Sequence, residues 1–225
     1  MRTILTAKTK KDCIKWTKTA IVIDVLRSSS TVCALLQAGK KDIRLYADKK
    51  EAAAYKKINA AAEFFSELDF EEKFDKYDNS PSLAIKSSHL KPALIITTAG
   101  TPAVMALKKA DKIFMGGFCN FSALIKYLKL NECENILFVP SSLFGFDEHT
   151  EDAICARECI AALSRADNAS RAIENFKKTK RFADFLKGCP LTAKEDARLA
   201  LTLNSIPQIP LIKIYDSFAL INKYQ

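Results

Sequence analysis

The sequence predicts an α/β fold: three layers, α/β/α, with a largely parallel or mixed central sheet. Three observations predict it. First, one unit repeats three times in succession: an apolar run, a short polar loop, then a helical pattern. The copies are PALIITT (92–98), AGT and PAVMALKKA (102–110); DKIFMGG (111–117), FCN and FSALIKYLKL; and ENILFVP (134–140), SSLFGFDEHT and EDAICARECIAALSRA. Second, an earlier stretch has the same form. Ala20 to Ile23 are apolar, Asp24 to Thr31 are mostly polar, and Val32, Leu35 and Leu36 carry helical spacing up to Gly39, a C-cap residue. Third, 48% of the 225 residues are hydrophobic, enough for a sizeable core and too many for disorder. Residues 1–225 read as one domain.

The other elements follow in order. Residues 1–19 are polar and lysine-rich, with an edge strand at Ile4 and Leu5 and a short helix around Asp12 to Trp16. KDIRLYA (41–47) reads as a strand, and Asp48 caps an alanine-rich helix through Lys49 to Ala62. Residues 63–81 are mixed, acidic and aromatic; Pro81 stops any helix from entering, and 82–90 make a short helix. Residues 170–199 read as helices. Pro210 to Tyr215 read as a last strand, ended by Asp216.

The formal net charge of +9 calls for an anionic partner. The lysines are scattered over amphipathic segments, and no RNA-binding aromatic signature is present, so no nucleic acid is expected. The seven cysteines are odd in number and form no CxxC pair, which indicates a reduced, cytoplasmic setting rather than disulfides. With two histidines, neither at finger spacing, a structural zinc site is not expected. No signal peptide precedes the first strand and no 18-residue apolar run exists, so the expectation is a soluble chain without a membrane. A free apolar helix face could support a homodimer.

In sheets of this kind, ligands sit beyond the carboxyl ends of the strands. That rule gathers Asp24 to Ser30, Thr97 to Thr101, Gly116 to Asn120 and Ser141 to Asp152 on one rim. Asp24, Arg27 and Ser28 lie at a helix N-terminus, whose unpaired N–H groups and dipole attract anions. The alternative is that Asp24 and the serines cap that helix. Thr98, Gly100 and Thr101 precede a second helix, and Asn79 and Ser80 form a third polar cluster. Glu151 and Asp152 begin a third helix, where acids also simply complement the helix dipole; they point about 100° apart, so only one readily faces a site. Two rim carboxylates could share a Mg2+ ion, which keeps several waters and binds substrate phosphate.

The segments IVIDVLRSSST, FDKYDNSP, ITTAGT, GGFCN and TEDAICA, in this order and spacing, resemble the 2-phosphosulfolactate phosphatase family over about residues 20–165. The resemblance implies a magnesium-dependent phosphatase that makes sulfolactate, a coenzyme M precursor, from a small phosphorylated anion. Carried over position by position, it implies catalytic Asp24 and Arg27. Ser28, Asn79, Ser80, Thr98, Gly100, Thr101 and Asn120 would bind substrate, and Asp24, Glu151 and Asp152 would bind metal. The sequence departs from the family pattern in places. Ala99 replaces the usual Asn, Tyr77-Asp78 replaces Leu-Gly, and Pro140-Ser141-Ser142 replaces Cys-Ala-Gly. An upstream Gly-Glu-Arg segment has no clear counterpart; Glu67-Leu68-Asp69 lies in about that place.

Other phosphatase chemistries do not fit. The Asp24-Val25-Leu26 order lacks the second acid of an Asp-x-Asp nucleophile motif. No Arg follows Cys13, Cys119 or Cys133 at six residues, and no RHG segment occurs. His149 could assist as an acid, or be an exposed loop histidine. The competing function is a catalytically weak or inactive homologue that binds an anion in a regulatory role.

Overall fold

Nine strands form one mixed sheet in the computed structural model, which describes residues 3–131, 133–145, 149–164, 166, 168–189 and 191–224. In chain order the elements are β1 (Thr3–Thr6), α1 (Lys10–Lys15), β2 (Thr19–Ile23), α2 (Ser28–Gln37), β3 (Ile43–Tyr46), α3 (Lys49–Ile58), β4 (Glu63–Phe65), α4 (Pro81–Ala84) and β5 (Ala93–Ile95). Then come α5 (Gly100–Met105), β6 (Lys112–Gly116), α6 (Phe121–Leu130), β7 (Asn135–Pro140), α7 (Thr150–Leu163) and α8 (Ala169–Phe176). The chain ends with α9 (Lys180–Gly188), α10 (Ala193–Leu201), β8 (Pro210–Ile214) and β9 (Phe218–Lys223). The spatial order is β1-β7-β2-β6-β8-β9-β3-β5-β4.

Local chemistry accounts for the boundaries. Asp48 accepts the N–H groups of Lys50 and Glu51 and starts α3. Ser80 accepts the N–H of Leu83, and Pro81 occupies the first turn of α4, where its missing N–H costs nothing. Gly39 closes the α2 end at φ +85°, a region that favours glycine. Three expectations are corrected. The helix after Asp48 ends at Ile58 rather than Ala62, because the chain turns at Asn59 to enter β4. That strand is only three residues long, too short to show a period of two. Pro210 to Ile214 is not the last strand. The chain turns after it, with the Tyr215 N–H bonded to the Phe218 carbonyl, and returns as β9.

β1, β7, β2 and β6 run parallel to one another, and so do β3, β5 and β4. Three antiparallel pairings in succession, β6–β8, β8–β9 and β9–β3, join the blocks, so the two blocks run in opposite senses. A flat sheet would place their carboxyl ends on opposite edges. Neighbouring strands twist by about 20–25°, so the five steps from β2 to β5 turn the strand direction by roughly 100–125°. Accumulated twist therefore lets the two carboxyl ends approach. The loops after β2 and β5 do meet, at Asp24 and Gly100.

Both faces of the sheet are covered, as period-two burial requires. Ala20 and Val22 of β2 pack with Val32, Leu35, Ala103 and Val104 from α2 and α5. Ile21 and Ile23 face the other way, into Leu124, Cys155, Cys159, Ile173 and Ala197 from α6, α7, α8 and α10. All seven cysteines are free thiols, six of them buried. Among the described residues, no helix is long and apolar enough to cross a membrane.

Candidate active site

Asp24 directly follows β2, whose five residues are all buried, so the strand delivers a carboxylate to the end of the core. The backbone there is tightly fixed. The Asp24 N–H donates to Ser29 Oγ (3.0 Å), and the Asp24 carbonyl accepts the Ser29 N–H (2.9 Å). Asp24 Oδ1 accepts the Ser28 N–H at 3.1 Å. The first N–H groups of α2 are thus engaged by Asp24 itself, which is the capping alternative of the sequence reading. Asp24 nevertheless also lines a pocket of about 190 Å³, with Arg27, Glu67, Asn79, Thr98, His149 and other residues. Burial is the main cause that pushes its carboxyl up to about 7. The Ser28 N–H opposes this, and the charges of Glu67 and Glu151 add to it.

Asp152 and Glu151, in the first turn of α7, are both buried. They take different partners, as their angular separation requires. Asp152 reaches the strand ends: Oδ1 accepts the Val25 N–H (2.9 Å), and Oδ2 accepts Ser141 Oγ (2.9 Å) and the Ser142 N–H (3.2 Å). It therefore ties the loops after β2 and β7 together. Of its three donors only the Ser141 hydroxyl depends on the side chain at its position; the other two are backbone N–H groups. Burial, then the charges of Asp24 and Glu151, raise the Asp152 carboxyl well above the usual range. Glu151 Oε1 accepts a hydrogen bond from Arg181 Nη2 of α9 at 2.9 Å, while its buried Oε2 has no hydrogen-bond partner among the described residues.

Arg27 lines the pocket, but its guanidinium is already matched by carboxylates. Asp78 binds it with both oxygens, at 2.7 and 2.9 Å, and Asp196 of α10 at 3.0 Å. The Phe185 ring lies 5.9 Å from the guanidinium carbon. Asp196 also accepts Ser80 Oγ (2.6 Å) and the Ser82 N–H (3.1 Å). Ser80 thus belongs to this network and to the α4 cap. Deleting Arg27 would strip buried Asp196 of its charge partner, so such a variant reports stability as well as chemistry.

The remaining predicted residues divide by role. Asn79 lines the pocket, and its buried Oδ1 has no partner among the described residues. Thr98 also lines it, with N–H and hydroxyl both donating to Glu67 Oε1 (2.7 and 3.0 Å). Ser28 Oγ is buried beside Gly100, without a partner among the described residues. A Cβ at Gly100 would lie 2.5 Å from Asp24 Oδ2, so only glycine fits there. Thr101 does not reach the pocket wall. Its hydroxyl and N–H are locked to Thr97 in three 3.0 Å bonds. Asn120 is likewise committed elsewhere: its amide bonds the Gly117 N–H and the Met115 and Gln208 carbonyls. It pins the turn after β6 to the loop before β8. His149 lines the pocket and precedes α7, while the rest of its loop, residues 146–148, lies outside the described residues.

Sequence reasoning did not select Glu67, Phe185, Cys189 or Asp196. Asp196 had a signal: Ala193, Asp196, Ala197 and Ala200 fall on one helical stripe, and an acid on an apolar stripe is a buried acid.

The donor set fits a hard cation. Glu151 Oε2 accepts no hydrogen bond among the described residues, and beyond burial itself the mutual charges of Asp24, Glu151 and Asp152 add to the rise of the Asp24 and Asp152 carboxyls. Among the described residues, no three His, Cys, Asp or Glu side chains form a cage. Magnesium needs no such cage, being held by one or two carboxylates, waters and substrate phosphate.

Residues 4–213 match the family model described as 2-phosphosulpholactate phosphatase. The chain is 31% identical over 213 residues to the probable 2-phosphosulfolactate phosphatase of Clostridium perfringens (strain 13 / Type A), covering 84% of this chain and 83% of that protein. A protein of the same description from Thermotoga petrophila is 29% identical over 161 residues, 71% of this chain and 69% of its own length. One from Thermoplasma volcanium is 29% identical over 128 residues, 56% and 59% of the two chains. The match spans β1 to β8 and includes every residue of the pocket, so the chain belongs to the 2-phosphosulpholactate phosphatase family.

Proposed function

We propose that this chain, a phosphoric monoester hydrolase, uses magnesium to hydrolyse 2-phosphosulfolactate or a related phosphorylated hydroxyacid. The products are the free hydroxyacid, sulfolactate in the first case, and phosphate. One observation carries the cation requirement. The pocket is lined by Asp24 and Glu67, and its one guanidinium, among the described residues, already faces Asp78 and Asp196. A substrate bearing phosphate, sulfonate and carboxylate would be repelled by such walls. A bound magnesium ion would supply the positive charge that draws in the phosphoryl oxygens and offsets charge in the transition state.

The chain's own residues then do the following. Asp24 on the pocket wall and the buried Glu151, whose Oε2 accepts no hydrogen bond among the described residues, would hold the cation, and Asp152 and the Ser28 N–H fix the loop that carries Asp24. Water, or Asp24 as a nucleophile ahead of water, forms the new bond to phosphorus as the ester P–O bond breaks. The leaving alkoxide takes up a proton, for which His149 is the candidate donor on the pocket wall. Asn79 and Thr98 orient the substrate from the opposite loops.

While Asp78 stays on Arg27, the same charge balance disfavours a metal-free anion binder, since an anion pocket needs positive charge that is not already neutralised. Substrate class is tested by kcat/KM for 2-phosphosulfolactate, phospholactate and phosphoglycerate. Sulfonate-bearing substrate should be preferred by about tenfold or more, the worth of one good charged contact. Equal rates on all three would remove the sulfonate from the account.

A further inference from the structure

Arg27 is almost wholly buried, with 6% of its side chain exposed, and Asp196 behind it is completely buried. Asp78 is different: 35% of its side chain is exposed. The guanidinium is thus held from within by Asp196 and covered toward solvent by Asp78. Asp78 makes a bidentate pair, the geometry in which arginine holds any planar carboxylate and, with the same fork, a sulfonate or phosphate. Asp196 accepts from Arg27 Nη1, which Asp78 also engages, and among the described residues it has two further partners, Ser80 and Ser82, so it is part of the frame. Asp78 has one further tie among the described residues, the Asn79 N–H at 2.8 Å, and sits on a loop between β4 and α4. Two carboxylates on one guanidinium exceed what its charge requires. The outer one is the exchangeable one.

We propose that Asp78 is a specificity-determining residue that acts as an internal competitor. It occupies the Arg27 fork when the site is empty, and the substrate's second anionic group, a carboxylate or sulfonate, must displace it. The inference rests on the phosphatase reading of this pocket. The exchange makes the site selective in a particular way. A substrate whose second group is a strong bidentate anion recovers Arg27, whereas a phosphomonoester with an uncharged leaving group leaves the Arg27–Asp78 pair intact and gains nothing from it. The apparent affinity for the anionic substrate is lowered by the fraction of molecules in which Asp78 covers the fork.

The test uses Asp78→Asn, which keeps an oxygen for the Asn79 N–H and removes the charge, and Asp78→Gly as a second variant. KM is measured for phospholactate and for an aryl phosphate whose leaving group carries no charge, each with magnesium. The ratio of the two values should fall on the order of fivefold to tenfold in both variants, as removal of an internal competitor requires. A ratio within twofold of wild type would overturn the proposal, as would a rise. Thermal stabilisation by methanesulfonate supplies a readout independent of turnover. The variants should reach half-maximal stabilisation at several-fold lower concentration. Unchanged sulfonate dependence would overturn the proposal even if the wild type hydrolysed its substrate. Absence of phosphate release from every substrate, with the sulfonate shift present, would instead remove the phosphatase reading and leave the competitor role standing.

Discussion

Asp24→Asn should lose at least about a thousandfold in kcat while the metal-free protein becomes more stable. Both effects come from one charge. Asparagine keeps an oxygen for the Ser28 N–H, so the local backbone bonds survive. What disappears is a buried carboxylate facing Glu67, Glu151 and Asp152. Its folded-state value, about 7, lies above the ordinary 3.8. Such an acid binds its proton on folding, so its cost is absent below about pH 4 and fully present above about pH 7. The melting temperature of Asp24→Asn without metal should therefore exceed wild type by roughly 2–8 °C at pH 8, the effect of about 1–2 kcal/mol in a chain of this size. The gain should shrink toward zero at pH 4. A variant that retains turnover within tenfold would remove Asp24 from the chemistry. One that melts lower at pH 8 would show that the carboxylate stabilises the fold. The opposing signs are expected of a site built for function at the expense of stability.

Gly100→Ala should lower kcat/KM by about a hundredfold or more, although the added group never touches substrate. The new methyl would lie 2.5 Å from Asp24 Oδ2 and 2.6 Å from the Ser28 Cβ and Oγ. Ser28 belongs to a helix with nine consecutive buried residues and cannot retreat. The cheapest response is rotation of the Asp24 carboxylate away from its place in the pocket. Overpacking of this kind destabilises by about 1–3 kcal/mol, so the protein should still fold. Gly116→Ala is the control. Its Cβ would meet the Leu124 Cδ2 at 2.6 Å, the far end of a side chain, so stability should fall with a smaller loss of turnover. Equal activity losses in the two variants would mean that Gly100 has no special bearing on Asp24.

The parts of this site that were legible in the sequence are those built locally. An apolar run ending in Asp and followed by hydroxyls and a helical pattern announces a carboxylate at a strand end, and Asp24 is there. Glu151 and Asp152 were readable for the same reason, as acids starting a helix. The hairpin of β8 and β9 was half read, because a six-residue strand close to the chain end offers little beyond its own residues. The direction reversal between the two parallel blocks left no local trace at all. It follows from β8 and β9 entering the middle of the sheet from the far end of the sequence. Arg27 was found, but its state was not. Its partners lie 51 and 169 residues away, on a loop and on α10, and pairing over such distances is a property of the packed fold. Thr101 and Asn120 show the converse. Both stand in motif positions, yet each completes its hydrogen bonds with its own turn or with the Gln208 carbonyl, so motif membership alone did not tell a framing residue from a lining one.

The central claim is that the buried carboxylates around Asp24 form a cation-dependent phosphatase centre. Phosphate release from racemic 2-phosphosulfolactate by the wild-type protein, with magnesium and again after EDTA, tests it most directly. The account predicts steady release with magnesium and a fall of at least about a hundredfold with EDTA, restored when magnesium is returned in excess. Equal release in the presence of EDTA, or none under either condition, would contradict it.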